Sequence, residues 1–207
     1  MILRTLARAL RAAIGNTEKN ATPAVTELIL RLSQRFPRHF FFTTSYLTTQ
    51  QVTDKQLPPN AGVIVSAINF PLRRIDGKDA KEKAFAGQLE QWKNVTKNIY
   101  IWDYINNFDD YLTPMPILKI ARQRLQFFKQ HGASGIFFNG SGYSYSSFDE
   151  MRTFVLSALL INPELSVDNL TASFFNQEYP AAKKWLYDYY TDLENGTQSG
   201  KRLGIYA

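Results

Sequence analysis

Three short apolar runs begin at Gly62, Asn98 and Ser134, 36 residues apart, and amphipathic patterns fill the intervals between them. Parallel strands need a crossover of a dozen or more residues, usually a helix, so this spacing predicts successive strand-plus-helix units on one sheet. The runs read Gly62-Val-Ile-Val-Ser-Ala-Ile68, Asn98-Ile-Tyr-Ile-Trp-Asp-Tyr104 and Ser134-Gly-Ile-Phe-Phe-Asn139. They are nearly continuous in apolar residues, as strands covered on both faces are. Phe40-Phe-Phe-Thr-Thr-Ser-Tyr-Leu47, dense in aromatic and β-branched residues, is expected to be a buried strand ahead of them. Four such strands make either a small open sheet or half of an eight-stranded (β/α) barrel.

The helices are placed by their period and their ends. Thr22-Pro23 sets a capping residue before a proline at the first helical position, and Val25, Leu28, Ile29, Leu32 and Phe36 recur on one face up to Pro37. Phe85, Leu89 and Trp92 mark a mostly charged helix over 79–95. Thr113-Pro114 is expected to cap the next, with Ile117, Leu118, Ala121, Leu125 and Phe128 inward and Gly132 at its stop. In the tail, Met151, Phe154, Val155, Ala158 and Leu159 mark a helix ended by Pro163, and Ser166 caps a second over 170–177. Pro180 opens a third, with Ala182, Trp185, Leu186, Tyr189 and Leu193 on its inner face.

Composition then removes function classes. The chain has no cysteine and two histidines, His39 and His131, far apart in sequence, so disulfides and a thiolate metal site are excluded and a metal or other cofactor is not expected. His39 at a strand entrance and His131 at a helix end read as structural. The net charge of +6 is uneven: residues 1–40 hold seven Lys/Arg and two Asp/Glu, which is +5 and leaves +1 for the rest. A basic start on a near-neutral body is no phosphate track, so nucleic acid is not an expected partner. No apolar run approaches the roughly 20 residues of a membrane span. Arg4, Arg8 and Arg11 interrupt the apolar residues of the start, which reads either as a helix remnant with a basic face or as an organelle transit peptide, and poorly as a secretory signal. Five Asn-X-Ser/Thr sequons, at Asn20, Asn94, Asn139, Asn169 and Asn195, matter only in a glycosylating pathway.

Asn20-Ala-Thr-Pro-Ala-Val-Thr26, Asn98–Tyr104 with Asn107-Phe108 and Tyr111-Leu112, and Gly132-Ala-Ser-Gly-Ile-Phe137 together resemble the bacterial domain-of-unknown-function family 4838. The barrel of that family looks like those of alpha-glucuronidases and related glycoside hydrolases. The resemblance runs from about Ala12 to Asn195 and is most specific over Tyr100–Leu118. It implies an α/β fold, the C-terminal half of a (β/α)8 TIM-like barrel with trailing helices. Residues 1–15 would be a basic leader, 16–162 the half-barrel, 163–195 the trailing helices and 196–207 a flexible tail. It implies a truncated reading frame, a shortened chain or a true half-barrel, completed by a missing N-terminal half or by a homodimer. Relatives are generally exported, so the compartment stays open.

In such a barrel functional side chains sit at the carboxyl ends of strands. Those positions hold Tyr46, Thr48, Asn69, Trp102, Asp103, Tyr104, Asn106, Asn107, Asn139, Ser141, Tyr143 and Tyr145. The set suits a carbohydrate ligand, with ring faces for a pyranose and amide or carboxylate groups for its hydroxyls. Tyr46, Asn69, Trp102, Tyr104, Asn106, Asn139 and Tyr143 are the expected sugar contacts, and Asp103 the candidate catalytic carboxylate. Glycoside hydrolysis normally needs two carboxyl groups, and Asp103 is the one acid at a strand end, so the expected role is a sugar or uronic acid contact without independent catalysis. A non-enzymatic assembly domain is the alternative. Plainer roles stand beside these: Asp103 bonding loop amides up to Asn107, Glu150 completing a capping box with Ser147, Asn139 forming a turn, and Tyr100 in the core.

Overall fold

The computed structural model describes residues 17–140 and 146–197. The basic leader, the loop positions Ser141, Tyr143 and Tyr145, and the end of the tail lie outside the described residues. Four parallel strands form one sheet in the order β1 (Phe41–Ser45), β2 (Ala61–Ser66), β3 (Ile99–Tyr104), β4 (Gly135–Asn139). Helix α1 (Thr22–Arg35) precedes β1, α2 (Ala80–Lys93) links β2 to β3, and α3 (Leu118–Gln130) links β3 to β4. Helices α4 (Asp149–Ile161), α5 (Val167–Glu178) and α6 (Lys183–Thr197) trail. Strands alternating with helices on one parallel sheet, followed by helices alone, make an α/β fold consistent with half a barrel.

The chain divides into two compact units: Met1–Ala67 with Ala84–Trp102 and His131–Phe137, and Ile68–Lys83 with Asp103–Gln130 and Phe138–Ala207. In the first, side chains alternate across each strand. Ala61, Val63, Val65, Ile99 and Ile101 are fully buried with Leu89 and Trp92 of α2. Ser45 closes this layer, taking a hydrogen bond from the Trp92 indole at 3.3 Å and from Gln88 at 3.0 Å while donating to the Gln50 carbonyl. The opposite faces carry Phe42, Gly62, Tyr100 and Gly135. Phe42 and Tyr100 cross edge to face at 5.2 Å over Gly62, where a Cβ would fall 2.6 Å from the Phe42 ring and 2.3 Å from the Asn98 carbonyl. Glycine is required there for that approach.

Three expectations shift in this unit. The buried stripe of α1 is Thr22, Thr26, Ile29 and Ser33, while Leu28 and Phe36 are exposed. Small hydroxyl side chains let α1 lie close, and Asn60 fixes its end by donating to the carbonyls of Ser33 at 3.2 Å and His39 at 3.0 Å. Strand β1 is an edge rather than a buried strand, with Phe40 64% and Phe42 37% exposed. Tyr100 is likewise 38% exposed and not core, because it points opposite to Ile99 and Ile101.

In the second unit, Ile117, Leu118, Ala121, Leu125 and Phe128 are buried as the period predicts, with Ile120 buried beside them, and in the first unit Gly132, just past α3 in the chain, has φ +85°, a left-handed conformation that suits glycine. Thr113-Pro114 does not cap α3, which starts at Leu118. Its first free amides go instead to the Glu194 carboxylate of α6, from Leu118 at 2.7 Å and Lys119 at 3.2 Å. Glu194 is therefore a cap supplied by a helix 76 residues away. Helix α6 buries Tyr190 and Glu194 and leaves Trp185 72% and Tyr189 50% exposed, rotating the expected inner face. At α4 the capping box of Ser147 and Glu150 is replaced by the Ser146 hydroxyl donating to Asp149 at 2.7 Å, with Phe148 at the N-cap in a left-handed conformation. The Ser166 cap of α5 is present, accepting from the Asn169 amide at 3.3 Å.

Candidate functional site

In the first unit the carboxyl ends of β1 and β3 bring two expected sugar contacts together. Tyr46 follows β1 and Trp102 lies on β3, with ring centroids 6.0 Å apart and planes tilted by 54°. Both are half-buried, so each keeps part of a ring accessible. Trp102 projects from the side of β3 that carries Tyr100, opposite to the helix-covered Ile99 and Ile101. The Ser66 and Thr44 side chains alternate onto the same side of β2 and β1 as Ile64 and Phe42. An aromatic pair beside small hydroxyls is a surface for the apolar face of a ring and its polar substituents.

In the second unit the polar candidates Asp103, Asn106 and Asn107 are buried. Asp103 has no exposed surface, and Arg124 of α3, 1% exposed, grips it with both ends of its fork: Nε donates to Oδ2 at 2.8 Å and Nη2 donates to Oδ1. Oδ1 also accepts from the Tyr104 amide at 2.8 Å. The same guanidinium donates through Nη1 to the carbonyls of Pro71 at 2.8 Å and Phe70 at 3.3 Å, and lies 4.6 Å from the centre of the Phe70 ring. Bidentate charge-assisted bonds of this kind are among the strongest in proteins. Arg124 thereby ties the chain after β2 to the end of β3.

A second arginine does the same for the following residues. Arg152 of α4, 3% exposed, donates to the Ile105 carbonyl and, at 2.9 Å, to the Asn106 side-chain oxygen. Burial lowers its affinity for its proton, while Tyr190, Asp149 and Glu194 offset that loss through their charges. Asn106 is fully buried with its amide turned into this cluster. Tyr104 is buried with its ring edge-on to Phe108 at 6.0 Å. The Asn139 carbonyl accepts from the Ile105 amide at 3.1 Å, Asn69 is exposed, and Tyr143 lies outside the described residues. The loop after β3 turns on its own side chains, Asn107 accepting from the Asp109 amide and Asp110 from those of Leu112 and Thr113.

Arg124, Arg152, Glu194 and Tyr190 escape a reading of strand ends because all four lie on helices. Their signal is a charged or hydroxyl residue set into an apolar stripe: Arg124 falls between Ala121 and Phe128, and Arg152 between Met151 and Val155. Among the described residues no three His, Cys, Asp or Glu side chains gather as metal ligands, and no helix is long and apolar enough to cross a membrane. A family model described as a domain of unknown function, DUF4838, matches residues 7–192. No curated protein and no solved structure matches the chain.

The buried pair on α6 sets a pH dependence. Burial pushes Glu194 above its ordinary carboxylate range, against the bonds from Leu118, Tyr190 and Lys119 that hold it down. Burial and the Glu194 charge likewise push the Tyr190 phenol well up, its hydroxyl donating to Glu194 at 2.9 Å. A carboxyl whose folded pKa is raised is fully favourable below the unfolded value and loses stability as pH rises through the folded value. The wild-type chain should therefore lose stability relative to Glu194→Gln as pH rises from the ordinary glutamate value of about 4.3 through the raised folded value. Urea unfolding at intervals across that range checks it; a gap between the two proteins that stays constant or moves the other way contradicts the assignment.

Proposed function

We propose, from the premise that this chain belongs to the DUF4838 family of domains of unknown function, that it is a carbohydrate-contacting module with Trp102 and Tyr46 as its sugar-facing rings. The observation that carries this reading is the half-buried Tyr46–Trp102 pair at the carboxyl ends of two parallel strands, on the side away from the helix-covered layer. Ring faces of that kind pack on the apolar face of a pyranose, including a uronic acid. In this reading Asp103 is a positioning residue. A glycosidase acid or base must reach the glycosidic oxygen or a water, whereas both oxygens of Asp103 are engaged by Arg124 and the chain beside it. Its contribution is to hold the end of β3. The chain then contacts sugar without hydrolysing it by itself.

Titration with uronic acids, methyl pyranosides and oligosaccharides, followed by calorimetry, tests the reading. Saturable binding is expected, weakened about tenfold or more by Trp102→Ala and about threefold by Tyr46→Ala. No saturable response to any sugar, or a Trp102→Ala variant that binds like the parent, overturns it.

A second reading, an assembly module, rests on a separate observation: β1 is a sheet edge with no charged residue, and Phe40 and Phe42 stand exposed along it. Such edges recruit further strands unless they are blunted by charge, proline or a bulge. Sedimentation equilibrium should then show a dimer that Phe42→Lys converts to monomer, and a monomeric parent chain contradicts it.

A further inference from the structure

The trailing helices of the second unit enclose a cleft of about 430 Å3, unrelated to the strand-end rings, between the first turn of α4, the end of α5 and α6. Its volume is in the range of small-molecule sites. Four rings form its walls: Phe174 and Phe175 lie 5.8 Å apart, Tyr179 stands 6.3 and 6.4 Å from them, and Phe148 meets Phe175 edge-on at 6.3 Å. Two carboxylates, Asp149 and Glu150, complete the polar part.

The chemistry of this lining is one-sided. Among the described residues, none that lines the cleft has a nitrogen-bearing side chain. Among its hydroxyls, that of Ser146 is already donated to Asp149 at 2.7 Å, which leaves Tyr179. Arg152, next along α4, is committed to Ile105 and Asn106. The positive end of α4, equivalent to about half a charge, and the Arg152 charge each offset part of the two carboxylates. An anion meets the two carboxylates Asp149 and Glu150 here. A ligand with an apolar body and a cationic donor group finds ring faces for the first and carboxylates with ring π-density for the second.

We propose that this cleft binds a small organic cation, a primary ammonium group carried on an aryl or alkyl body. The ammonium meets Glu150 at the exposed rim and Asp149 further in, and the body lies against Phe174, Phe175 and Tyr179. This site takes a different ligand class, in a different unit, from the sugar contact, and neither proposal depends on the other.

Three probes with one body and different heads test it on the whole chain: 2-phenylethylammonium, 2-phenylethanol and phenylacetate, titrated by calorimetry and by chemical-shift changes. The ammonium should saturate and bind about tenfold tighter than the alcohol, with no saturation by the acetate. Glu150→Gln, at an exposed position, should weaken the ammonium about threefold, and Tyr179→Ala about tenfold. Thermal melts of both variants establish that they fold. No saturation by the ammonium up to about 10 mM overturns the proposal, as do equal affinities for ammonium and alcohol or unchanged affinity in both folded variants.

Discussion

The bidentate pair of Asp103 and Arg124 is the interaction on which the second unit depends. Two opposite charges without exposed surface are costly to bring together, and the cost is met because every acceptor around the fork is used: two carboxylate oxygens and two backbone carbonyls. The reward is geometric. One side chain on α3 fixes the chain at Phe70 and Pro71 and the end of β3 at once, and its guanidinium lies against the rings of Phe70 and Phe128. Arg152 repeats the device two residues further along with Ile105 and Asn106, and Glu194 repeats it with opposite sign at the start of α3. The second unit is thus organised by buried charges that reach from helices to the ends of other elements.

Those long-range polar contacts mark where the sequence was legible and where it was not. The order of strands and helices was readable, since it rests on local period: Phe85, Leu89 and Trp92 are buried as their spacing requires, and the apolar runs at 62, 98 and 134 became β2, β3 and β4. The orientation of some elements was not. On α1 the larger side chains Leu28 and Phe36 face outward while threonine and serine are buried, because close approach favours small groups over hydrophobic ones. The start of α3 could not be found from Thr113-Pro114, as its cap comes from Glu194 in another helix. On α6 the aromatic stripe of Trp185 and Tyr189 suggested the inner face, whereas the buried hydrogen bond of Tyr190 and Glu194 decides it.

The candidate site divides in the same way. Alternation along β3 separates Tyr100 and Trp102 from Ile99, Ile101 and Asp103, and that much follows from the strand alone. What alternation cannot supply is the partner. Asp103 read as the one acid at a strand end, and the guanidinium that engages it sits 21 residues later on a helix whose other inward residues are apolar. The rings divide too: Tyr46 and Trp102 are half-buried, whereas Tyr104, read from the same strand-end pattern, is buried against Phe108.

The double-mutant cycle on Asp103→Asn and Arg124→Met, read by urea unfolding, tests the central claim most directly. If the pair is the clamp described, each single change leaves an uncompensated buried group and costs about 3–5 kcal/mol, and the double change costs clearly less than their sum. Single changes below about 1 kcal/mol, or costs that simply add, would show that the end of β3 is held by something other than this pair.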